Sequence, residues 1–129
     1  MTLNSEIKSK IIDNVVEVCK EEADKDSNKE LLGLTVNYFY DGEVIDIGCV
    51  VHIFDNDKDE GYTKNVSFIL NDDEIDSDLL ILLNQYDKNI KYDKVEEAAN
   101  EIKEYLETID WKTKVKIYED MFVDLELYD

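Results

Sequence analysis

The sequence predicts an α+β fold: an antiparallel sheet of about five strands, made of two hairpins, with amphipathic helices packed on one face. Three observations predict it. Apolar residues recur at the helical period in two long stretches, one near each end of the chain. Shorter segments alternate apolar and polar residues, the period of a half-buried strand. Turn-forming residues separate those segments, Asp41-Gly42 being the clearest case. The expected order is α-β-β-β-α-α-β-β in a single domain over residues 1–129, a length that suits one core.

Residues 5–24 read as a helix with Ile7, Ile11, Val15, Val18 and Cys19 on one side, and Asn4 or Ser5 can cap it. Residues 25–30 form a polar connector. Residues 32–40 and 43–54 read as a hairpin about a two-residue Asp41-Gly42 turn. That turn sets Tyr38 opposite Ile45, Val36 opposite Ile47, Leu34 opposite Cys49 and Leu32 opposite Val51, with Asn37 opposite Asp46 and Thr35 opposite Gly48 on the other face.

Residues 55–62 are an acidic loop, and 64–70 read as a third strand with Val66, Phe68 and Leu70 alternating. Asp76 or Ser77 can cap a helix over 78–86, although Leu79-Leu80-Ile81-Leu82-Leu83 alone also fits a buried strand. Asp93 and Glu96 have capping-box spacing, and the helix after them is expected to bury Val95, Ala98, Ala99, Ile102, Leu106 and Ile109. The C-terminus reads as a second hairpin with a loop at Glu119-Asp120-Met121. Ile117 then faces Val123 and Val115 faces Leu125, while Lys116 meets Asp124 and Lys114 meets Glu126.

Charge bears most directly on function. The formal net charge is −19, every basic residue is lysine, and there is no proline. Residues 41–78 alone hold twelve carboxylates and two lysines, a net of −10. Such a field repels nucleic acid and anionic membranes and attracts a basic protein surface. No apolar run reaches the ~18 residues of a membrane span. Met-Thr-Leu-Asn-Ser-Glu lacks the basic start and apolar run of a signal peptide, so a cytoplasmic location is expected. Cys19 and Cys49 lack metal or redox spacing and read as buried free thiols.

Two acidic clusters stand out. In Asp55-Asn56-Asp57-Lys58-Asp59-Glu60-Gly61 the alternating acids suggest a calcium loop. Yet glycine stands at the seventh loop position instead of the sixth, the twelfth position is Val66, and the flanks read as strands. A solvated acidic turn is the simpler reading. The second cluster holds Asp72, Asp73, Glu74, Asp76 and Asp78 ahead of a helix, where one or two acids would satisfy the free amides. Tyr62 follows the first cluster, and an aromatic beside carboxylates suits a contact with a basic partner. Tyr40 beside the Asp-Gly turn and Phe39 on the polar face could join such a surface; the other reading is that Phe39 and Phe54 pack under a second helical layer.

The lone His52 falls on the polar face with Val50 and Phe54 and has no metal-ligand companion in sequence. Ser67 lacks a nucleophile elbow, the four glycines are isolated, and no catalytic motif is present. The expectation is a protein that is not an enzyme and needs no cofactor or metal.

The amphipathic leading helix followed by Leu32-Gly33-Leu34-Thr35-Val36-Asn37-Tyr38-Phe39-Tyr40-Asp41-Gly42 resembles the plan of small acidic immunity proteins of bacterial polymorphic-toxin and contact-dependent growth inhibition systems. The resemblance implies a cytoplasmic inhibitor that binds a cognate toxin domain, often a nuclease, and blocks its active site or an adjacent surface. The residues expected to meet a basic toxin are Asp55, Asp57, Asp59, Glu60, Tyr62, Asp72, Asp73, Glu74, Asp76 and Asp78. The alternatives are a calcium-responsive module on Asp55, Asp57 and Asp59, and an adaptor subunit whose acidity only keeps it soluble.

Overall fold

The computed structural model describes residues 3–25, 28–68 and 78–127. Asn4 starts helix α1 (Ser5–Lys25), its Oδ1 accepting the Ile7 amide at 2.8 Å. Ile7, Ile11, Ile12, Val15 and Cys19 form the buried stripe of α1, at helical spacing. The chain then runs through β1 (Lys29–Tyr40), β2 (Ile45–Asp55) and β3 (Glu60–Ser67). Helix α2 (Asp78–Leu83) and helix α3 (Lys88–Glu107) follow, then a 3-10 turn at Trp111–Thr113 and strand β4 (Ile117–Leu127).

The class is α+β, but the described strands form one four-stranded mixed sheet of order β3-β2-β1-β4. Five strands and an all-antiparallel sheet are therefore corrected. The difference lies in β4, which pairs parallel to β1: Leu34 stands beside Val123, Val36 beside Leu125 and Tyr38 beside Leu127. Residues 113–116 do not form the expected partner strand. Trp111 is buried, its Nε1 donating to the Leu106 carbonyl at 3.0 Å, which ties this stretch to the end of α3. The expected loop residues Glu119, Asp120 and Met121 instead form an irregularity within β4. Leu31 pairs with Ile117 and Gly33 with Phe122, so Leu32 alone spans residues 118–121, and Glu119 has φ 47°.

The β1–β2 hairpin is present with its register moved by two residues. Tyr40 faces Ile45, Tyr38 faces Ile47, Val36 faces Cys49 and Leu34 faces Val51. The loop spans 41–44 because Asp41 Oδ1 accepts the amides of both Glu43 (2.8 Å) and Val44 (2.9 Å). Within this loop Gly42 alone takes a positive φ, 102°, whereas the two-residue turn would need two such residues. A shift of two keeps every side chain on its expected face. The exception is Leu32: at a bulge Leu31 takes the core place opposite Ile53, and Leu32 turns to the other face.

Leu34, Val36, Ile47, Cys49 and Val51 lie under α1 and α3 in one buried cluster. Helix α3 starts at Lys88 with Asp87 at its N-cap, so Asp93 lies one turn inside the helix and is exposed. Val95, Ala98, Ala99, Ile102 and Leu106 are buried as expected, and Ile109 is partly buried. Among the described residues no helix is long and apolar enough to cross a membrane. No described helix covers the opposite face of the sheet, so Phe39 and Phe54 do not pack under a helical layer there.

Candidate interaction surface

The first acidic cluster is the β2–β3 turn, and its side chains have divided roles. Asp55 is buried, and its Oδ1 accepts the Asp57 amide at 3.0 Å. Asp57 Oδ1 accepts from Asn28 Nδ2 at 2.9 Å. Asn56 donates from its backbone amide to the Asn28 carbonyl (3.0 Å) and from Nδ2 to the same carbonyl (2.7 Å) and to Glu30 Oε1 (2.8 Å). Asp59 takes a positive φ of 52° at the turn. The turn is thus tied to the start of β1, and Asp57, Asp59 and Glu60 project into solvent. Among the described residues no three His, Cys, Asp or Glu side chains come together where they could hold a metal ion.

Tyr62 points the other way. Its hydroxyl donates to Glu22 Oε2 at 2.7 Å, and Lys29 Nζ lies 5.2 Å from its ring centroid. Glu22, only 6% exposed on α1, also pairs with Lys64 at 3.5 Å and Lys29 at 3.9 Å. Tyr62 and Asp55 therefore serve the fold, one closing α1 onto β3 and the other shaping the turn. Asp72, Asp73, Glu74 and Asp76 lie outside the described residues. Asp78 opens α2, and its side chain also lies outside the description.

The helix-free sheet face holds a second surface. One half is an aromatic band. His52 lies 5.1 Å from Phe122 and Phe54 lies 4.5 Å from Tyr118, centroid to centroid. His52 Nε2 is within hydrogen-bond distance of Thr35 Oγ1, at 3.0 Å. The other half is polar. A depression of about 200 Å³ is lined by Asn37, Asp46, Gly48, Val50, Asn65 and Ser67. Burial raises the Asp46 carboxyl above its usual range, and a hydrogen bond with Ser67 partly offsets the rise. Gly48 forms the floor: a Cβ there would meet the Val66 carbonyl oxygen at 2.6 Å and Asn37 Oδ1 at 3.2 Å.

Pairing positions on this face include Asp46 on β2 and, beyond β1, Asp124 beside Thr35 and Glu126 beside Asn37. No lysine occupies a paired position on this face among the described residues. The sequence reading placed Asn37, Asp46 and Gly48 on the polar face but gave them no role. The available signal was Gly48 itself, because a glycine inside a strand marks a close backbone approach.

No protein-family model matches the sequence, no curated protein matches it, and no solved structure matches its fold.

Proposed function

We propose that the protein is an immunity- or antitoxin-like inhibitor that acts in the cytoplasm by binding a basic toxin domain, such as a nuclease, and occluding it without catalysis. The observation that carries this reading is the braced acidic turn. Asp57, Asp59 and Glu60 are exposed, yet their turn is fixed: Asp55 accepts the Asp57 amide, Asn28 and Asn56 tie the turn to the start of β1, and Glu60 pairs with Asp55 in the sheet. Charge that only kept the chain soluble would need no such bracing. Preorganised charge lowers the ordering cost of binding and raises the rate of encounter with a basic surface. Asp72, Asp73, Glu74, Asp76 and Asp78 enter this reading on sequence alone, as a second acidic segment.

The test is co-purification with the product of the adjacent gene, followed by titration of that product's activity. The reading expects activity to vanish near one equivalent of inhibitor. It also expects a D59N/E60K variant, which keeps the Asp57–Asn28 tie, to need a large excess while melting close to the wild type. Full toxin activity in the presence of excess wild-type protein would overturn it.

A further inference from the structure

We propose that the depression over Gly48 is a receptor for one arginine side chain of the bound partner. This rests on the reading of the partner as a basic protein, and it moves part of the contact from the turn to the sheet face. The chemistry of the lining selects the occupant. Asp46 supplies a half-buried carboxylate hydrogen-bonded by Ser67, and Asn37 and Asn65 line the same depression with side-chain oxygens able to accept hydrogen bonds. Val50 adds an apolar wall against which an alkyl stem can lie.

Guanidinium has five donors in a fixed plane and is weakly hydrated, so it gains more from several convergent acceptors than a lysine ammonium does. About 200 Å³ accommodates the head group and part of its stem. The space exists because residue 48 is glycine, the approach of the Val66 carbonyl leaving no room for a Cβ. Asp124 and Glu126, two strands away on the same face, add to the attraction. The depression lies roughly 25 Å along β2 from the acidic turn, so the two sites can be tested separately.

The experiment is a titration of the isotopically labelled full chain with N-acetyl-arginine methylamide, followed by amide NMR. Parallel titrations use the lysine analogue and the uncharged citrulline analogue. The expected result is saturable shifts at Gly48, Asn65 and Ser67 with the arginine probe, weaker shifts with lysine, and none with citrulline. Asp46→Asn should weaken binding about tenfold. Asn65→Leu, on an exposed edge-strand position, should also weaken it, whereas D57N/D59N/E60Q should not. Shifts confined to residues 56–60, equal binding of lysine and arginine, or an unaffected Asp46→Asn variant would each overturn the proposal. Arginine binding without toxin neutralisation would sink the inhibitor reading alone. Neutralisation without arginine binding would sink this inference alone.

Discussion

Tyr62 shows how a residue beside an acidic cluster can pack, half-buried, against the core. Its hydroxyl donates to the buried Glu22, so Tyr62→Phe removes one hydrogen bond to a buried carboxylate. The expected loss is about 1–2 kcal/mol in urea unfolding, with partner affinity unchanged. Nothing in the alternation of β3 reveals this, because the sequence does not show that α1 lies above position 62. Cys19 and Cys49 were more legible, since each falls at a core position of its own element. Burial pushes both thiols up to about 12. Native thiols then keep their protons where unfolded ones, near 9.0, release them. Stability should therefore decline as pH rises from 9.0 toward about 12. Unfolding midpoints across that range test this, and Ellman's reagent should label neither thiol until the chain unfolds. Burial raises the Asp46 carboxyl as well, so its ionised form is less favoured in the folded chain than in the unfolded one and its charge works against folding. Asp46→Asn should match or slightly exceed wild-type stability at neutral pH, as expected of a carboxylate kept for binding.

Elements were legible wherever pattern and partner were local. Helix α1 and its Asn4 cap, the β1–β2 pairing and the buried stripe of α3 all follow from spacing within a few residues. The hairpin faces were legible and the register was not, because parity survives a slip of two while partner identity does not. Whether Asp41 would bind two amides, lengthening the loop, depends on a local competition that an Asp-Gly pair does not settle. Strand β4 was misread for another reason. Its alternation fits an antiparallel neighbour at 113–118 as well as the distant β1, and only the path of α3 brings it beside β1. Gly33 is central to that pairing: an added Cβ would lie 2.5 Å from the Phe122 ring. Gly33→Ala should displace Phe122 and cost about 1–3 kcal/mol. Amide exchange should quicken across residues 122–127 and remain slow in α1.

Across the whole molecule the charge is arranged in places, and the total of −19 says less than the arrangement. One carboxylate set projects from a braced turn, and another faces outward from a sheet that carries no helix on that side among the described residues. The concentration of acids in residues 41–78 was visible in the sequence. The outward face of Asp46 was visible too, from the hairpin pattern; the inward orientation of Asp55 was not, because the alternation does not show that β2 continues to Asp55 and pairs it with Lys29 and Glu60. Like charges crowded on a turn repel one another, so D57N/D59N/E60Q should leave stability within about 0.5 kcal/mol of wild type or raise it. The same substitutions should weaken the partner complex, mainly by slowing its formation. The most direct measurement is the association rate constant with the co-purified toxin domain over a range of ionic strength. The wild-type rate should fall steeply as salt is added, and the D57N/D59N/E60Q rate should be lower with a shallower slope. Equal rates and equal salt dependence for the two proteins would contradict a binding role for the acidic turn.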